Sequence, residues 1–180
     1  AMLEHKARYV GNELYTKFAY MKSKEFEERI DRAERSHRVC DYKIQEAVKF
    51  YKPLNKLNKG CLFWVHHHEM GRWLCDAFRE ADIPYIYADA TKKGELQILN
   101  KNNKHLPVIA STASHGTGKN LQHFSENYFM QFSRSATTME QAIGRTHRQG
   151  QKADQLIMNT NFTTEFDHEM FAATIADSLY

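Results

Sequence analysis

The sequence is defined first by what it lacks. No apolar run is long enough to span a bilayer, and no secretory signal opens the chain. An intracellular protein, cytoplasmic or nuclear, is therefore expected. Cysteine is scarce: Cys40, Cys61 and Cys75 are odd in number and lack a CxxC spacing, which suits reduced thiols in a cytosolic setting. There is no internal repeat and no low-complexity tract. No stretch supplies a P-loop, and none supplies a DExx box for magnesium. The nearest approach to a P-loop is Gly116-Thr117-Gly118-Lys119. That motif needs Gly-x4-Gly-Lys-Ser/Thr. Here the first loop position is Ala113, and Asn120 follows the lysine where a hydroxyl belongs.

What is present fits one domain, or one domain with a small appendage, in 180 residues. The apolar share of 42% suffices for a core. The net charge of +3 is unevenly spread. Residues 1–60 carry 14 lysines and arginines against 9 acids, and the remainder carries 11 against 13. A basic N-terminal third permits nucleic-acid contact and equally suits a solvated charged helix.

Periodicity supplies the elements. Val10, Leu14 and Phe18 recur every four residues, as on an amphipathic helix. Residues 21–38 form a dense mixed-charge helix with a thin apolar stripe at Phe26, Ile30 and Ala33. Helix continues to about Pro53. We divide the chain into a helical extension, 1–55, and an α/β domain, 56–180. Cys61-Leu62-Phe63-Trp64-Val65 is wholly apolar and of strand length, the pattern of a central parallel strand. Further strands are expected at 83–87, 107–110, 128–130 and 156–158. Helices are expected at 70–78, 94–103, 138–147 and 165–176. Alternation of this kind predicts a parallel sheet with right-handed crossovers, flanked by helices. Asp89 is placed to cap the helix after the second strand. Tyr85 and Tyr87 read as sheet residues; Phe124, Tyr128, Phe129 and Phe132 read as core.

The residues richest in chemistry lie between Val108 and Gln151. Arg145 and Arg148 are three apart, a spacing that shares one face of a helix. Two guanidinium forks on one face suit a phosphate. Gln141 precedes Arg145 by one turn, and Gly150 is read as the helix stop. Ser111-Thr112, then Gly116, Gly118 and Asn120, come after the strand at 107–110. Parallel α/β sheets bind ligands outside the carboxyl ends of their strands, and small residues there let backbone N–H groups approach phosphates.

These segments carry a family resemblance. QAIGRTHRQGQ, residues 141–151, resembles motif VI of the superfamily-two helicases in its Swi/Snf-like form. STASHGTGKNLQ, residues 111–122, resembles motif V. GCLFWVHHHEMGRWLCDAFREADIPYIYADA, residues 60–90, resembles motif IV and the segment after it, closest to the annealing-helicase branch, which carries a similar Phe-x-His-His. His115 stands where the family usually has glycine, and Lys119 where it usually has an apolar residue. The resemblance implies the second of two RecA-like lobes of a DNA-stimulated ATPase, with a first lobe in the same or another chain. ATP and Mg²⁺ would be held mainly by that first lobe. Arg148 would be the arginine finger and Arg145 its assistant. Gly118, Asn120, Gln141 and Gly144 would face the nucleotide. Ser111 and Thr112 would contact the DNA backbone, as would His66 and His67.

Two other readings compete. One is a stand-alone module, derived from a helicase lobe, that binds nucleic acid or a partner without catalysis. The other is a complete P-loop NTPase using Lys119. The run His66-His67-His68-Glu69 also has the composition of a metal site. Adjacent side chains on a strand alternate faces, however, and the order His-Glu-x-x-His is absent. No metal is expected there.

Overall fold

A computed structural model describes residues 23–131, 133 and 135–178. The helix expected around Val10, Leu14 and Phe18 lies outside these residues, as does Phe132. The chain divides into two compact units, Ala1–Tyr42 and Lys43–Tyr180. Helix α1 runs Ser23–Lys56 with Pro53 inside its last turn, three residues beyond the expected stop. A proline there removes one hydrogen-bond donor near the end of the ladder and leaves earlier turns intact. The helix ends where Asn58 adopts φ 53° and the Lys59 amide donates to the Leu54 carbonyl at 2.9 Å.

The second unit holds a five-stranded sheet. Its strands are β1 Cys61–Val65, β2 Ile86–Ala88, β3 Pro107–Ser111, β4 Glu126–Phe129 and β5 Ile157–Thr160. All pair in parallel, in the order β2-β3-β1-β4-β5. Between them run α2 His68–Glu80, α3 Lys92–Leu99, a 3-10 turn Lys101–Asn103, α4 Thr112–His115, α5 Ala136–Thr146 and α6 Glu165–Ser178. This is the α/β class the alternation predicts.

The second strand is shorter than its apolar run. Ile83 does not pair in the sheet: its amide closes α2 by donating to the Phe78 carbonyl at 2.9 Å, with Asp82 at φ 55°. Pro84 has no amide to pair, so pairing starts at Ile86. Asp89 does not cap α3 itself. Its Oδ1 accepts from the amide and hydroxyl of Thr91, and Thr91 is the cap, accepting from the Gly94 amide.

Strands β1 and β3 are buried along their whole length, which is why their residues are apolar on both faces. On one face Phe63 packs edge-on against Tyr51 of α1 and Phe78 of α2, with ring centroids 5.8 and 5.3 Å away, and Tyr128 lies beside it at 5.4 Å. On the other, Leu62 and Trp64 join Ile98, Leu121, Phe124 and Met139 in one buried cluster. Each such side chain contributes about 1.5–3 kcal/mol by leaving water. Helix α2 turns Met70, Leu74 and Phe78, spaced four apart, into the core. Among the described residues no helix is long and apolar enough to cross a membrane.

Candidate functional site

Because every strand is parallel, their carboxyl ends share one edge of the sheet. Val65 is in register with Ser111, so the segments leaving β1 and β3 begin side by side. The histidine run starts there. It is not strand: β1 stops at Val65, His67 is the extended residue before α2, and His68 opens that helix. His66 and His67 are exposed, their ring centroids 4.8 Å apart. The His66 amide donates to Oε1 of Gln131 at 3.2 Å. His68 is turned to Tyr87, its Nδ1 3.2 Å from the phenol oxygen. Among the described residues no group of three or more His, Cys, Asp or Glu is placed to hold a metal ion.

The segment after β3 folds back on itself. Ser111 and Thr112 are buried, 5% and 7% exposed. The Thr112 hydroxyl lies 3.5 Å from the Val65 carbonyl. After the single turn α4, the Gly116 amide donates to the Thr112 carbonyl at 2.8 Å. His115 is 1% exposed, and its Nε2 sits 3.0 Å from the Ala88 carbonyl and 2.8 Å from that of Asp89. Burial holds this imidazole below the ordinary histidine value, helped by the Lys119 charge and opposed by the bonds to Asp89 and Ala88. Lys119 donates to the Ser114 carbonyl at 3.1 Å and lies 3.5 Å from Glu95. The lysine of the Gly-x-Gly-Lys sequence is thus an internal brace. Gly118 has φ +72°, and a methyl group there would meet nothing within 4 Å. Asn120 is exposed and accepts from the Gln122 amide.

The segment 141–151 joins this turn directly. Arg145, in the last turn of α5, donates through Nε to the Gln141 carbonyl at 3.0 Å and to the Gly116 carbonyl at 3.1 Å. Its own carbonyl accepts from the Leu121 amide at 2.8 Å. Gln151 donates to the carbonyls of Thr146 and Phe124 at 3.1 and 3.0 Å. The helix ends at Thr146 and not at Gly150, so Arg148 lies beyond it and the two arginines do not share a helix face. The reason is His147, whose φ −86°, ψ 78° leaves the helical region. Arg148 is exposed, and its Nε is 3.3 Å from the Gly144 carbonyl. It lines an open cleft of about 790 Å³ with His147, Gln149, Gly150, Ile143 and Met158. Gln141 is exposed, and a methyl group on Gly144 would meet nothing within 4 Å.

Sequence reasoning therefore finds the two segments but misses what ties them. It does not foresee the contacts made by His115 and Gln151. For His115 the available signal is a bulky residue at a position where glycine is usual.

No curated protein matched the chain. Among solved structures the chain is similar to one titled the C-terminal part of the Fun30 ATPase domain, with a TM-score of 0.63 at 18% identity. The match covers 96% of this chain but only 63% of that one, so the chain spans less than two thirds of that structure. At that identity the likeness is one of fold: a RecA-like parallel sheet between helices. A model of the helicase conserved C-terminal domain matches residues 42–150, which takes in β1 through the end of the Arg145–Arg148 segment. With more than half of the chain matched over these motifs, this protein belongs to the helicase conserved C-terminal domain family.

Proposed function

We propose that the chain is the second lobe of an ATP-dependent DNA translocase of the Swi/Snf-like kind, nearest the annealing-helicase branch. The observation that carries this reading is the contrast between the two arginines. Arg145 is pinned through Nε to the Gly116 carbonyl, while Arg148 stands exposed at the cleft, tied through Nε to Gly144. An exposed guanidinium beside an open cleft is free to meet a phosphate on a facing lobe.

Of the residues expected to face the nucleotide, Arg148 lines that cleft, and four others lie outside its lining. Gly118 and Gly144 leave open backbone, and Asn120 and Gln141 are exposed beside them. ATP and Mg²⁺ would be held chiefly by a first lobe carrying the P-loop, and the bound metal would neutralise phosphate charge. This chain's part is positional. Arg148 supplies a planar fork to the γ-phosphate oxygens, and Arg145 keeps the 116–120 turn against α5. On the nucleic-acid side, His66 and His67 offer exposed donors to phosphate oxygens. Ser111 and Thr112, both buried, offer little side-chain surface to a backbone phosphate as they stand.

The test joins this chain to a P-loop-bearing first lobe and compares wild type with Arg148→Ala and Arg148→Lys. Fingers of this kind supply about 10³-fold or more in rate in GTPases. Arg148→Ala should lose turnover on that scale with DNA affinity retained. Arg148→Lys should not rescue, since an ammonium keeps the charge and loses the fork. Near-normal turnover in the alanine variant removes Arg148 from the mechanism. ATP turnover by the chain alone, abolished by Lys119→Ala, would establish a self-contained NTPase instead.

A further inference from the structure

We propose that His115 is a positioning residue for Arg145, acting through the Gly116 carbonyl. The inference rests on the reading of Arg145 given above and assigns the group that sets its orientation.

The chain of contacts is short. Both neighbours of His115 Nε2 are carbonyl oxygens, of Ala88 at 3.0 Å and Asp89 at 2.8 Å. Carbonyls only accept, so Nε2 carries the hydrogen. The bond anchors α4 to the end of β2. Gly116 comes directly after His115, and its carbonyl, at 3.1 Å, shares the Nε hydrogen of Arg145 with the Gln141 carbonyl at 3.0 Å. A fixed His115 therefore fixes the acceptor that turns Arg145 toward the 116–120 segment. Without it, the ties left to this turn among the described residues include the Gly116 amide bond to Thr112 and the Lys119 brace on Ser114.

The other ring nitrogen sets the protonation state that does this. Nδ1 is buried and has no partner among the described residues. An unpaired lone pair inside a protein is tolerable, but a second N–H there would be a buried donor without an acceptor. The groups facing the imidazole are Asp89 after β2, Glu95 on α3 and Lys119 in the turn. Lys119 disfavours a second proton, and Glu95 is itself engaged with Lys119. The neutral ring is thus the form that holds the turn, and taking up a proton should release it.

The experiment reads the Nε–H resonance of Arg145 by NMR in this chain, without nucleotide or DNA. The resonance is assigned by its loss in Arg145→Lys, and its protection is expressed relative to free arginine at the same pH. In His115→Leu, which fills the space without a donor, that proton keeps the Gln141 carbonyl and loses its hold on Gly116. It should exchange faster by up to about fivefold, the factor supplied by a net hydrogen bond of about 1 kcal/mol. His115→Gln, whose amide places a donor near Nε2, should restore protection. An unchanged signal in the leucine variant overturns the proposal, as does equal loss in both variants. Should the leucine variant fail to fold, wild type decides. Arg145 protection lost along the titration of the His115 ring supports the proposal, and protection constant through that titration overturns it. None of these readouts uses catalysis. An Arg145→Ala two-lobe enzyme with full turnover would count against the functional reading alone.

Discussion

The indole N–H of Trp64 donates to Oδ1 of Asn127 across 3.0 Å, with both residues wholly buried. The amide of Asn127 donates in turn to the Thr146 hydroxyl at 3.3 Å, and that hydroxyl donates to the Ile143 carbonyl at 3.0 Å. Strand β1, strand β4 and the end of α5 are thereby joined by one polar thread inside an apolar core. Asn127→Ala orphans the buried indole N–H of Trp64, while the Thr146 hydroxyl keeps its bond to Ile143. That orphan costs about 1–3 kcal/mol, so the variant should lose at least about 1 kcal/mol in urea unfolding. A loss under about 0.5 kcal/mol would show that water replaces the amide.

Two glycines should answer in opposite directions. At Gly144 a methyl group meets nothing, and the residue lies inside α5. Gly144→Ala should therefore stabilise the chain by about 0.5–1 kcal/mol. At Gly60 a methyl group would lie 2.3 Å from the Lys104 carbonyl oxygen, which is backbone and cannot swing aside. Gly60→Ala should destabilise by about 1–3 kcal/mol. Thermal melts of the two variants decide, and a shift of the same sign in both contradicts the geometry. A stabilised Gly144→Ala protein that loses activity in two-lobe form would mark the open backbone as functional space.

A buried ion pair ties α1 to α6. Lys43 of α1 meets Asp167 of α6, and Asp167 also accepts from the amides of Thr163 and Thr164 at 2.9 and 3.0 Å. Burial pushes this carboxyl up, but the bonds from Lys43 and the two amides outweigh it and hold it below the ordinary 3.8. A depressed carboxyl stabilises the fold above its unfolded value, and the contribution vanishes as pH falls through the folded value. Lys43→Met leaves the carboxylate buried without its cation. It should cost about 3 kcal/mol at neutral pH and move acid unfolding to higher pH. An acid midpoint unchanged from wild type would mean that the two amides suffice.

The arginines should separate in stability as well as in function. Arg145→Ala removes the tie to Gly116 and should cost about 1 kcal/mol. Arg148→Ala touches an exposed side chain and should stay within about 0.5 kcal/mol of wild type. Denaturant midpoints measured side by side test this; equal losses would place Arg148 in the structure instead of at the cleft.

How much of the fold and site is legible in the sequence depends on where each interaction is encoded. Strands β1 and β3 stand out because both faces are covered, which forces apolar residues at nearly every position. The apolar stripe of α2 is equally plain, since Met70, Leu74 and Phe78 recur at helical spacing. The apolar run at 83–87 overstates β2 because Ile83 is apolar for a different reason: it is buried at the end of α2, where its amide serves the helix. The pattern places the end of α5 too late because glycine is the common stop signal, whereas the break comes at His147. The chemistry-bearing segments stand out by composition and resemblance. Their mutual geometry does not, because Arg145 and Gly116 are 29 residues apart and no local pattern records such a pairing.

The stitches between residues 116–124 and 145–151 carry one more consequence. Arg145 reaches Gly116, Leu121 reaches back to Arg145, and Gln151 clasps both Phe124 and Thr146. Neither segment can open to solvent without breaking bonds of the other. They should therefore open as one cooperative unit of local unfolding, a foldon made of two stretches remote in sequence. The amides of Leu121 and Phe124 on one stretch and His147 on the other should then share a single opening free energy in native-state hydrogen exchange. A displacement of either stretch would carry the other with it.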